Sequence, residues 1–130
     1  MSAGNWLVAS VMAHLDENPA LAPLRLFDFV PSRFSYPWAH VEDASLSAID
    51  GAGVRGRVGT LAIQCRDAGE RPTRLRTLVA RLEEQMEALD PDLGEGWRLG
   101  GCALAGSRIV RGKDEWVARS VWAVRVFRVN

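Results

Sequence analysis

The sequence predicts an α+β domain in which a mostly antiparallel sheet of four to five strands carries two helices packed on one face. Three stretches support this. Between Pro72 and Leu89, the residues Leu75, Leu78, Val79, Leu82, Met86 and Leu89 recur at spacings of three and four, with Arg74, Arg76, Arg81, Glu83, Glu84 and Glu87 between them. That is an amphipathic helix, and its apolar stripe needs a surface to cover. Thr60 to Arg66 alternates before the helix, with Leu61, Ile63 and Cys65 on one side, and Trp116 to Val129 alternates after it. Both runs have the period of two that a half-buried strand shows.

The remaining elements follow in chain order. Asn5 is placed to cap a first helix reaching Leu15, with Trp6, Val8, Val11, Met12 and Leu15 as its candidate buried positions, and Pro19 prevents continuation. Asn18 to Leu24 is a connector. Leu26 to Phe29 suits a short edge strand stopped by Pro31. A second strand is expected over Trp38 to Ser47, with Ala39 and Val41 inward. Asp50 to Gly59 holds Gly51, Gly53, Gly56 and Gly59 with Arg55 and Arg57, and reads as a hairpin loop or a mobile tongue. Past the long helix, Asp90 to Gly96 is a turn. Trp97 to Val110 is a strand in which Gly100, Gly101 and Gly106 suggest a bulge or a close backbone contact. Arg111 to Glu115 is a charged turn before the last strand.

A chain of 130 residues with 48% hydrophobic content supports one cored domain, residues 1–130, and is short for two. No run approaches the roughly 20 apolar residues of a membrane helix. The first residues lack the basic-then-apolar order of a secretion signal, so the chain reads as cytosolic when made. Lysines and arginines number 16 and acids 16, a balance that disfavours non-specific binding to a phosphate backbone. Cys65 and Cys102 have no CxxC spacing and read as reduced core thiols.

No catalytic pattern is present in the residues. His14 and His40 have no spaced ligand partners, Ser45 and Ser47 lack the GxSxG context, and the glycines of Asp50 to Gly59 form neither GxGxxG nor a P-loop. A cysteine nucleophile would require folding to bring His40 beside Cys65 or Cys102. Trp6, Trp116 and Trp122 fall at core-like positions, and Trp38 and Trp97 at strand starts suited to partial exposure. These observations predict no enzyme, no cofactor and no metal site.

The last strand is the most informative. One side presents Trp116, Ala118, Ser120, Trp122, Val124 and Val126; the other presents Val117, Arg119, Val121, Ala123, Arg125, Phe127 and Val129. Two helices cover one face of a small sheet, so the second side is expected outside, yet it mixes apolar residues with arginine in the way protein interfaces do. Ordinary monomer surface is also substantially apolar, and both readings stay open. Along the long helix, Arg71, Arg74 and Arg76 sit at the positive end and Glu83, Glu84 and Glu87 at the negative end, against the macrodipole. Pairing with a neighbouring chain and drift on a solvated face both account for that order.

Taken together, the features resemble the tail-completion, or tail-terminator, proteins of long-tailed bacteriophages and gene transfer agents. The likeness rests on the first helix with Leu7, Val11 and Leu15; on Asn18, Pro19 and Leu21; and on Leu26 to Val30 leading to Pro31. It continues through Tyr36, Pro37, Trp38, Ala39, His40 and Val41, the strand Leu61 to Arg66, the helix Leu75 to Leu89, and a C-terminal pair of strands ending in Val124, Arg125, Val126 and Phe127. Trp38 after Pro37 and the glycine-rich loop depart from the usual pattern. The resemblance implies a structural subunit, without cofactor or reaction, that forms a homo-oligomeric ring, a hexamer, on the head-proximal end of the tail tube. Such a ring stops tube polymerisation and helps join tail to head. Its implied partners are other copies of itself, the tail tube protein and a head-tail connector or stopper. DNA only passes through the ring, no membrane is involved, and assembly is in the bacterial cytoplasm with a final place in the virion or gene-transfer-particle tail. The candidate contact residues are Arg119, Val121, Arg125 and Phe127 on the strand, Arg74, Arg81 and Glu84 on the helix, and Arg55 and Arg57 toward the tube or channel. Another neck protein, and a small cytosolic enzyme or ligand-binding domain, are the alternatives.

Overall fold

Ser2 caps the first helix in place of the expected Asn5: its hydroxyl accepts the Asn5 backbone N–H at 3.2 Å, so α1 starts earlier and spans Ala3–Leu15. The computed structural model describes residues 2–129. Leu7, Val11 and Leu15 on α1 are fully buried, as their spacing requires. A single 3₁₀ turn, Pro19–Leu21, follows, with the Asn18 side chain accepting the Ala20 N–H at 3.0 Å. Asn18 also donates from Nδ2 to Gln85 Oε1 at 2.9 Å, and His14 Nε2 donates to the Gln85 carbonyl at 2.8 Å. The end of the first helix is thereby tied to the second.

The strands are β1 (Arg25–Phe27), β2 (Trp38–Val41), β3 (Ser45–Ala48), β4 (Val54–Asp67), β5 (Asp92–Gly94), β6 (Trp97–Arg111) and β7 (Trp116–Val129), with α2 (Thr73–Glu87) between β4 and β5. They form one seven-stranded sheet in the order β1-β2-β4-β7-β6-β5, with β3 pairing to β4 beyond β2. The expected four to five strands become seven because the expected second strand divides into β2 and β3 and because β5, within the expected turn, is only three residues long, too short for alternation to show. One pair, β1 with β2, is parallel; the others are antiparallel.

Two expectations are corrected locally. The strand over Trp38 to Ser47 is two strands that pair with different parts of β4: β2 opposite Ile63–Arg66 and β3 opposite Arg57–Thr60. Most of the Asp50 to Gly59 loop belongs to β4, leaving Gly51–Gly53 as the tight turn, with Gly53 at a φ of 72°. Gly59 is needed for proximity: a Cβ there would stand 1.8 Å from the Ser45 carbonyl oxygen, so only glycine lets β3 lie this close.

The expected irregularity in β6 is real. Its register against β7 shifts between Leu99 and Gly101 and again between Leu104 and Gly106. Each extra residue restores the alternation, so Leu99, Cys102 and Leu104 lie on one face and Gly101, Ala103 and Gly106 on the other. β5 pairs with β6 only near Trp97 and Arg98, leaving the rest of that edge without a strand partner among the described residues.

Both helices lie on one face of the sheet. The core between the layers holds Leu75, Leu78, Leu82 and Met86 of α2 against Leu61, Ile63, Ala118, Trp122, Val124 and Val126. Trp122 is 1% exposed, and its indole N–H donates to Ser120 Oγ at 3.3 Å, so this buried donor is paired. Trp38 and Trp97, expected to be partly exposed, are buried. Trp97 joins the main core, while Trp38 lies on the other face beneath Phe34, whose ring centroid is 4.7 Å away. The arginine at the start of α2 also has a local reason: Arg74 donates from Nε and Nη2 to Asp67 at 2.8 and 2.5 Å, and the nearly buried carboxylate compensates the cation placed at the positive end of the helix.

Candidate functional site

The face of the sheet turned away from the helices is built by the alternate residues of β4, β7 and β6. Register sets Gln64 beside Arg119, Ala62 beside Val121 and Val58 beside Arg125 on one flank of β7, and Val110, Arg108 and Gly106 beside Val117, Arg119 and Val121 on the other. At the β1–β2 end this face is sheathed by the chain itself. The segment between β1 and β2 folds over it, with Phe34 on Trp38 and the Tyr36 hydroxyl donating to Glu115 Oε2 at 2.8 Å. Across β7 and β6 it is open.

Where cover and opening meet, the polar groups form one chain of contacts. Arg66 reaches Glu115 through Nη1 and Gln64 through Nη2, Gln64 Nε2 donates to Glu42 Oε2 at 3.0 Å, and Arg119 donates to both Glu42 oxygens at 3.0 and 3.2 Å. The Arg119 guanidinium holds the Glu42 carboxyl below the usual carboxylate range, with Gln64 assisting. The Tyr36 hydroxyl is pushed up because it donates to Glu115. The two carboxylates of this face are thus paired within the subunit.

Beside the network lies an open trough of about 610 Å³, floored by Val110, Val117 and Val121 and rimmed by Gln64, Arg108 and Arg119. Arg108 stands directly across from Arg119. Like charges in register destabilise a strand pair by about 0.2–1 kcal/mol, and Arg119 alone of the two is in an ion pair among the described residues. A floor of valines with cationic rims offers no general base; it offers area for contact.

The candidate contact residues separate in this frame. Arg119, Val121, Arg125 and Phe127 share the open face, with Arg119 and Arg125 exposed and Val121 and Phe127 half-buried. Arg81 and Glu84 are exposed on α2, in the opposite layer. Arg74 is engaged with Asp67. Arg57 is held by Asp50 at 2.5 Å and lies over the Trp97 ring at 5.8 Å, whereas Arg55 is exposed at the start of β4. Residues missed by the sequence reading are Glu42, Gln64, Arg66, Arg108 and Glu115. Only strand pairing brings them to this face, although the alternation of Gln64 and Arg66 against Leu61, Ile63 and Cys65 already placed those two on it.

A cysteine–histidine pair does not form. Ala39, not His40, lies opposite Cys65, so the histidine and the thiol are on opposite faces. Burial pushes the Cys65 thiol up to about 12, far from the thiolate a nucleophile needs. Among the described residues no group of three His, Cys, Asp or Glu side chains is placed to hold a metal, and no helix is long and apolar enough to cross a membrane.

Comparison with known proteins bears on this geometry. No curated protein matches the chain. Among solved structures, a chain of the virion of a native gene transfer agent particle superposes with a TM-score of 0.82 at 16% identity, covering 98% of this chain and 99% of that one. At that identity the likeness is one of fold. Residues 9–128 match the family described as Tail completion protein gp17. The chain therefore belongs to the tail completion protein gp17 family and is a structural component of a phage-type tail, not an enzyme.

Proposed function

We propose that copies of this chain close into a ring, a hexamer, on the head-proximal end of a tail tube, where the ring stops tube growth and presents the surface to which the head is joined. The observation that carries this reading is the open face of β6 and β7. Its valines and arginines lie on rigid strands with no covering layer from the subunit itself, which suits repeated contact between copies. Family membership and the shared fold with a gene transfer agent virion chain support the setting. A ring follows when one surface of a subunit meets a different surface of the next and the rotation closes.

In this reading Arg119, Val121, Arg125 and Phe127 meet a neighbouring copy, as do Arg81 and Glu84 from α2. Arg74 contributes only its exposed edge because its charge is engaged by Asp67. Arg55, exposed by the β3–β4 turn, contacts the tube protein or the channel, and Arg57 braces that turn through Asp50. The head side is met by a connector or stopper protein, and DNA passes through the ring. Deleting the gene is expected to give overlong or headless tails by electron microscopy. Normal particles of normal tail length would overturn the reading.

A further inference from the structure

The subunit's formal charge of zero conceals long stretches of a single sign. β6 and β7 carry Arg98, Arg108, Arg111, Arg119, Arg125 and Arg128 and no acid. The stretch from Glu83 to Gly96 carries Glu83, Glu84, Glu87, Asp90, Asp92 and Glu95 and no base. The ion pairs among the described residues are Arg25–Asp16, Arg57–Asp50, Arg66–Glu115, Arg74–Asp67 and Arg119–Glu42. None of the six acids is in one, and of the six arginines only Arg119 is.

Geometry places Glu84 and Glu87 on one outer surface and four of the six arginines on the other. Leu78, Leu82 and Met86 turn α2 toward the sheet, which leaves Glu84 and Glu87 exposed on the far side of the helix layer. Arg98, Arg108, Arg119 and Arg125 share the uncovered face of the sheet, set opposite Phe127, Arg119, Arg108 and Gly101 respectively. The acids of that face, Glu42 and Glu115, are already paired, so its positive charge is unbalanced. The two signs approach each other at the corner where Asp92 stands across from Arg98.

We propose that the acidic end of α2 and the β5 turn of one copy seat on the arginine-bearing face of β6 and β7 of the next copy. The contact rests on the ring reading above and deepens it by naming which surface meets which. It joins unlike surfaces, the helix layer of one subunit to the bare sheet of its neighbour, as a head-to-tail ring requires. It also removes the Arg108–Arg119 opposition by bringing external carboxylates between them, and the valine floor of the trough supplies apolar area under the charges. Complementary charge fixes orientation and speeds association, so salt weakens the contact.

The test uses two full-length variants altered at exposed positions away from the core. One carries Glu84→Arg with Glu87→Arg, the other Arg108→Glu with Arg125→Glu, and circular dichroism checks that both fold. Self-association is followed by sedimentation, and the same variants are scored for particle yield in a deletion strain, where the tail tube templates assembly. Each variant alone should associate about 100-fold more weakly than the wild type. An equimolar mixture should assemble, because the reversed helix layer of one variant then fits the reversed sheet of the other in alternation. Wild-type assembly by either variant alone, or failure of the mixture, overturns the pairing while wild-type rings leave the ring itself standing. Loss confined to the arginine variant also overturns it and assigns that face to DNA or another tail protein. A wild-type chain that never associates, in a system whose particles do not need it, would instead remove the ring.

Discussion

The two faces of the one sheet follow different rules, although the same strands make both. Toward the helices, every second residue of β7 from Ala118 to Val126 is buried, and the single polar one, Ser120, has its hydrogen-bond partners. On the other face the intervening residues alternate arginine with valine, alanine and phenylalanine, and they are exposed or half-buried. The chain's own packing accounts for the first pattern completely. It accounts for the second only where the segment before β2 lies across it. Folding requirements therefore explain one side of the strand, and the ring proposed above would supply a reason for the apolar content of the other.

Adjacent residues can break or sharpen that contrast. Trp122→Ala should destabilise the fold by about 3–5 kcal/mol, because it empties the largest site in the core. Val121→Ala, one residue away on the open face, should cost less than about 1 kcal/mol. Urea unfolding of the pair measures the difference; equal losses would mean that both faces are core.

A carboxylate on each face gives a second comparison. Asp67 and Glu42 are each held below their ordinary titration range by an arginine, Arg74 and Arg119 respectively. A depressed folded-state pKa adds stability above the unfolded value, near pH 4, and that stability is lost as pH falls through the folded value. Asp67→Asn should lower stability at neutral pH by about 1–3 kcal/mol, with the gap to wild type closing toward pH 2. Glu42→Gln should show the same sign and a smaller gap, because the Glu42 side chain is 26% exposed and that of Asp67 only 4%. Stability curves against pH for the two variants provide the check. The smallest expected effect is that of Arg125→Glu on stability, within about 0.5 kcal/mol of wild type, with any large consequence appearing only in assembly.

Legibility followed the length of each pattern. α2 and β7 could be read directly, because periods of 3.6 and 2 persisted over 15 and 14 residues. β3 was merged with β2, and β5 was too brief to separate from a turn. The first half of β4 was hidden by glycines that looked like loop residues, yet Gly59 is there because Ser45 crosses so close. Trp38 could not be seen as buried, since its cover comes from Phe34 and Arg66 rather than from its own strand. Within the site, the arginines of β7 were visible from alternation. Their partners were not, because Glu42 is brought to Arg119 across 77 positions of sequence by sheet pairing alone.

The two extra residues in β6 have a consequence for how growth is limited. A long strand border with free amides and carbonyls invites endless zipping onto another copy, which would defeat the closed ring proposed above. By kinking that border at Gly100 and Ala105, the chain spoils it as a template. In the proposed ring, copies would then associate through side chains, in a count that geometry can close.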